Sequence, residues 1–204
     1  MCPLRSSEKQ FLLEFARRAL IAAVETRSVL ESFDSIPNLP LSAGVFVTLR
    51  RKSRLRGCIG QIGLPQPTAP LVAYCAHAAA LEDPRFQSVQ LHEVPEIEIE
   101  LSILSALEEI VSERIEIGKH GLMVTNGTIR GVLLPQVATQ YRWNALRFLE
   151  ETCAKAGLDR NAWSAAETRV EAFTAEVFSE SELCAGAFAA SQRSRGGTGY
   201  SSSM

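Results

Sequence analysis

Two apolar runs, Val45-Phe46-Val47-Thr48-Leu49 and Leu55-Arg56-Gly57-Cys58-Ile59-Gly60, flank the basic link Arg50-Arg51-Lys52-Ser53-Arg54. Apolar, β-branched-rich runs joined by a short polar link predict a β-hairpin. With a loop of two or four residues centred on Lys52-Ser53, Arg50 pairs with Leu55, Val47 faces Cys58 and Val45 faces Gly60. Strand side chains alternate, so Arg56, Cys58 and Gly60 share one face while Leu55, Gly57 and Ile59 share the other. Glycines inside a strand mark a bulge or the close approach of a ligand or another backbone. Gly57 and Gly60 are therefore candidate ligand-contact positions.

The pattern elsewhere changes period. Phe11, Leu12, Phe15, Ala16, Ala19, Leu20 and Ala23 form a helical stripe behind a capping box at Ser7-Glu8-Lys9-Gln10. Prolines at 65, 67 and 70 precede an alanine-rich helix over 71–81, which Asp83-Pro84 stops. His77 within it reads as a packed, internally hydrogen-bonded histidine. Strict alternation over 96–104 gives a strand with Ile97, Ile99, Leu101 and Ile103 on one face and Glu96, Glu98 and Glu100 on the other. That glutamate row reads as the solvated face of an antiparallel strand, or as a balance for arginines across the sheet.

A second hairpin is expected around Asn126-Gly127, with Thr125 opposite Thr128, Val124 facing Ile129 and Leu122 facing a bare Gly131. Asn144 suits a helix N-cap, with Trp143 stapled to Phe148, and Gly157 suits the C-cap. The last strand spans 169–178, with a bulge near Phe173 where the alternation slips. Hairpins and a meander, with helices mostly before and after the strands, predict an α+β fold: an antiparallel β-sheet flanked by helices. The expected core includes Phe15, Phe46, Val47, Ile59, Ile97, Ile99, Leu101, Val124, Ile129, Leu133, Phe148 and Leu149.

Composition narrows the function classes. The 204 residues are 46% hydrophobic and 22% charged with a net charge of -2, so no global field draws the chain to nucleic acid or acidic lipid. Five scattered cysteines with neither CxxC nor zinc-ligand spacing read as free thiols in a reducing cytoplasm. No metal, cofactor or membrane segment is expected, and the location is expected to be cytoplasmic. Residues 183–204, ending in a Gly- and Ser-rich stretch, read as a flexible tail.

Leu55-Arg56-Gly57-Cys58-Ile59-Gly60 is similar to the LRGCIG signature of the AMMECR domain family, whose bacterial members are called system protein A of the AmmeMemoRadiSam set. Asp83-Pro84-Arg85-Phe86, Gly118-Lys119-His120-Gly121, Leu133-Leu134-Pro135-Gln136-Val137 and Lys155-Ala156-Gly157-Leu158 follow in family order. The resemblance covers roughly residues 8 to 180. It implies a domain over 7–182 with a smaller subdomain inserted at about 63–95. It also implies an accessory or substrate-handling role beside a radical SAM protein and a Memo-type protein.

Two other functions stay open. In an independent thiol enzyme, Cys58 would be the nucleophile and His120 the general base, with Arg56 favouring the thiolate and the apolar Val45 and Val47 opposing it. In a nucleic-acid-binding module, the five basic residues at 50–56 would contact phosphates. Arg56, Gly57, Gly60 and Arg85 are the candidate ligand-binding residues. Together with Cys58 and His120, the two arginines are expected to line a shared cleft.

Overall fold

The computed structural model describes residues 3–30 and 37–183. Its elements are α1 (Ser6–Thr26), β1 (Leu41–Arg51), β2 (Arg54–Pro67), α2 (Thr68–Leu81), β3 (Ile97–Leu104), β4 (Glu108–Glu109), β5 (His120–Asn126), β6 (Ile129–Leu133), α3 (Pro135–Gln140), α4 (Ala145–Ala156) and β7 (Thr168–Ser179). Short 3₁₀ turns occupy Leu91–Glu96, Ser112–Arg114 and Ala162–Ser164. The strands form one antiparallel sheet in the order β2-β1-β3-β7-β5-β6, with β4 pairing with β7. The fold is α+β, as the alternation predicts. All but the first residue of the expected tail lies outside the described residues.

Two apolar clusters hold the sheet. The larger joins Leu12, Phe15 and Leu20 of α1 to Val45, Val47 and Leu49 of β1 and to Ile97, Ile99, Leu101 and Ile103 of β3. Leu71, Val72, Cys75 and Ala76 of α2, from the span expected to form an inserted subdomain, pack into this same cluster. The smaller cluster sets Phe148 and Leu149 of α4 against Leu122 of β5 and Ala172 of β7. Arg17 ties the ends of several elements together: it pairs with Glu180 and donates to the carbonyls of Val94 (3.1 Å) and Ile97 (2.6 Å).

Several local expectations need correcting. The first helix starts earlier than Ser7: Arg5 is its N-cap, and Glu8 accepts the Arg5 N–H at 2.7 Å. Gly127-Thr128, rather than Asn126-Gly127, forms the second hairpin loop, and only Gly127 has a positive φ. The register therefore moves by two: Val124 faces Gly131, Leu122 faces Leu133, and Ile129 is 44% exposed rather than core. β7 has no bulge at Phe173, since its pairing with β5 runs unbroken from Thr168 to Thr174. The alternation slips there because Glu171, Ala172 and Phe173 are all buried, so both faces of the strand are covered.

Candidate functional site

The site begins with the loop between β1 and β2. Lys52 and Ser53 both take positive φ, 51° and 63°, as a two-residue type I′ turn requires. Arg50 pairs with Leu55 as expected, but Leu49 pairs with Gly57, so Arg56 is an extra residue in a β-bulge. Beyond it, as far as Gly44, every partner moves by one. Thr48, not Val47, faces Cys58, and Phe46, not Val45, faces Gly60. Val45, Val47 and Leu49 turn into the larger cluster. The surroundings of Cys58 are thus polar: Thr48 Oγ1 lies 3.4 Å from its sulfur.

The main chain of Cys58 is clamped from outside the sheet. Its N–H donates to Asp83 Oδ2 at 2.8 Å, and its carbonyl accepts from Arg85 Nη2 at 3.0 Å. Arg85 in turn grips Asp83 through Nε (2.9 Å) and Nη2 (2.7 Å). A buried carboxylate and a guanidinium thereby satisfy β2 as a neighbouring strand would. Because Cys58 points its backbone groups away from β1, it forms a non-hydrogen-bonded pair with Thr48, in which side chains lie close. The bidentate Arg85 contact, with help from the Cys58 N–H, holds the Asp83 carboxyl well below the usual carboxylate range despite burial. Asp83 above all, and Cys58 to a smaller degree, raise the Arg85 pKa.

Arg56, expected as an anion anchor, is committed elsewhere. Its Nε and Nη2 bond both Glu93 oxygens at 3.0 and 2.8 Å, and its Nη1 donates to the Gln87 carbonyl at 2.8 Å. Glu93 is brought down to about 2, first by the Arg56 hydrogen bond, against the opposing effect of burial. The pair fastens the bulge of β2 to the turn at Leu91–Glu96.

The glycines serve packing. A Cβ on Gly57 would stand 2.1 Å from the Ala79 carbonyl oxygen, so its bareness lets α2 approach the strand. Gly60 lies under the Phe46 ring, where a Cβ would meet Cδ1 at 2.1 Å. Gly131 lies against Thr152 and Ala156 of α4 and is not a bare patch.

His120 does not join the others. It starts β5, and its Nδ1 accepts the Glu116 N–H at 3.1 Å, which leaves Nε2 as the proton-bearing nitrogen of the neutral ring. It lines a groove of about 810 Å³ with Pro40, Leu41, Pro65, Glu108 and Phe173, and none of Arg56, Cys58 and Arg85 lines that groove. The structure thus brings Arg56, Cys58 and Arg85 together near one end of β2 and places His120 on a separate surface. His77 is buried as expected, but its Nδ1 makes no hydrogen bond, with Glu82 Oε1 3.3 Å away.

The basic link is largely neutralised. Arg51 contacts Glu93 (3.1 Å) and Glu96 (3.0 Å), Lys52 reaches Glu96 (3.4 Å), and Arg50 lies 3.6 Å from Glu100. Glu96 and Glu100 of the row over 96–104 do balance arginines across the sheet, while Glu98 accepts the Ser181 hydroxyl. Register also aligns Cys58, Thr48, Glu100 and Ser179 as one row across four strands. Sequence reasoning missed Thr48, Asp83, Glu93 and Glu100 as members of this site. The sequence carries two signals of them: Thr48 is the one polar residue in its run, and Asp83 opens the motif that contains Arg85.

The family model for AMMECR1 matches residues 13–178. This chain belongs to the AMMECR1 family. Protein PF1979 of Pyrococcus furiosus is 41% identical over 186 residues, covering 84% of this chain and 87% of the relative. A protein of Methanothermobacter thermautotrophicus is 40% identical over 189 residues, covering 87% and 97%. The crystal structure titled as the uncharacterized protein PH0010 from Pyrococcus horikoshii matches with a TM-score of 0.78 at 37% identity, covering 87% of this chain and 93% of that one. Among the described residues no helix is long and apolar enough to cross a membrane.

Proposed function

We propose that this AMMECR1-family protein is an accessory, substrate-handling component of an AmmeMemoRadiSam-type modification system, working beside a radical SAM protein and a Memo-type protein. The observation that carries this reading is the clamp on Cys58. Asp83 and Arg85 fix the strand from its edge, and the sulfur is presented beside Thr48 with no histidine hydrogen-bonded to it among the described residues. A fixed main chain with a partly exposed side chain suits a surface that is presented to a partner. The pairing of Arg50, Arg51, Lys52 and Arg56 with glutamates argues against a phosphate-binding hairpin.

A second reading, thiol chemistry at Cys58, draws on Thr48 as hydrogen-bond donor and Arg85 as the cation beside a thiolate. Native co-purification followed by mass spectrometry separates the two. The accessory reading expects radical SAM and Memo-type proteins in the complex, together with a modified molecule whose yield survives Cys58→Ser. Elution of the protein without either partner overturns that reading, and loss of modification in a folded Cys58→Ser variant establishes the thiol instead.

A further inference from the structure

The groove at His120 is separate from the Cys58 surface. Its apolar wall is Pro40, Leu41, Pro65, Ile110 and Phe173, and Leu41 is 57% exposed beside it. The rim carries Glu108, Glu109, Glu113 and Glu116 against a single arginine, Arg114. Lys119 answers Glu116 at 2.7 Å. Glu109 has a different problem. It stands directly opposite Glu171 across the β4–β7 pair, an arrangement of like charges that destabilises a sheet. Glu171 is 8% exposed, and its Oε2 makes no hydrogen bond; Arg169 Nε lies 3.4 Å from it. Glu171 itself lies outside the groove, so the negative excess along the lip is that of the four rim glutamates against Arg114 and Lys119, where an incoming cation would find carboxylates to pair with.

We propose that this groove receives an extended segment of a partner protein that presents a lysine or arginine beside an apolar side chain. The apolar residue would lie against Leu41 and Pro65, and the cation would sit on the acidic rim, at Glu108 or Glu109 according to which of these alternating side chains faces the groove. His120 would offer its Nε2–H to a main-chain carbonyl of the segment. Charge complementarity selects this occupant: an acidic segment would add to the negative excess of the rim, and a purely apolar one would leave Glu108 and Glu109 unpaired by it.

The test uses the full chain and three fluorescent pentapeptides, Leu-Arg-Leu-Arg-Leu, its citrulline analogue and Leu-Glu-Leu-Glu-Leu, read by anisotropy. The arginine peptide should bind, and the citrulline and glutamate peptides should bind at least about tenfold more weakly. The double substitution Glu108→Lys, Glu109→Lys should remove that preference while raising the melting temperature, because it turns the Glu109–Glu171 repulsion into an attraction. Leu41→Ser should weaken the arginine peptide and leave the melting temperature unchanged. Equal binding of all three peptides, no binding at about 1 mM, or binding indifferent to both sets of variants overturns the proposal. Binding that appears only after truncation at Leu183 would make the chain's own residues 184–204 the occupant, which overturns the assignment to a partner. None of these readouts depends on the modification system proposed above.

Discussion

Arg56 shows how far a side chain's task depends on its neighbours. As an exposed strand arginine it would add little to folding, but its side chain is 16% exposed and its guanidinium bonds both oxygens of a buried glutamate. Removing it leaves Glu93 charged, buried and reliant on Arg51 and the Gln90 N–H. Arg56→Ala is therefore expected to cost about 3 kcal/mol in urea unfolding, and unchanged stability would show that the pair is dispensable. The cysteines divide in the same way. Burial pushes the Cys75 thiol up to about 12 and raises Cys153, whereas Cys58 is partly exposed. In a Cys2→Ser, Cys184→Ser background, iodoacetamide should alkylate Cys58 in the native protein and reach Cys75 and Cys153 only after unfolding. Rapid native labelling of Cys75 would contradict the packing described.

At the scale of elements, the hairpin of β1 and β2 sets the register of the site. Lys52 and Ser53 both sit in the left-handed region, which is unfavourable for side chains other than Asn, Asp and Gly. Ser53→Gly should stabilise the protein by about 1 kcal/mol, seen as a higher melting temperature. Gly57 tests the opposite case. Its Cβ would strike a helix backbone atom rather than a movable side chain, so Gly57→Ala should cost roughly 1–3 kcal/mol. Gly60→Ala should cost less, since the Phe46 ring can swing aside. If the two substitutions are equally harmful by thermal melting, Gly60 is as tightly held as Gly57.

For the whole molecule, the two depressed carboxylates join β2 to the segment between α2 and β3. Asp83 and Glu93 both titrate lower in the folded chain than in the unfolded one, held there chiefly by Arg85 and Arg56. The unfolded chain then binds more protons as pH falls, so their stabilisation is complete above about pH 5 and is lost progressively towards pH 2. Arg56→Ala should flatten the decline in stability over that window, measured by urea midpoints at successive pH values. A decline as steep as in the parent would show that Glu93 is not its source.

The sequence by itself determined what depends on period and local chemistry: the helical stripe of α1, the alternation of β3, the cap at Asn144, the loop at Lys52-Ser53 and so the α+β class. Those signals sit within a few residues of the structure they produce. The tertiary structure alone decided the surroundings of Cys58. A one-residue bulge at Arg56 leaves the hairpin loop untouched yet changes every cross-strand neighbour beyond it, replacing an apolar partner with Thr48. The partner that locks Arg56, the Asp83–Arg85 pair that clamps Cys58, and the helix that fills the space beside Gly57 come from a later part of the chain. His120 lies in a separate groove for a related reason: that groove takes in the far end of β2, at Pro65, while Arg56 and Cys58 lie near the other end, and β1, β3 and β7 stand between β2 and β5.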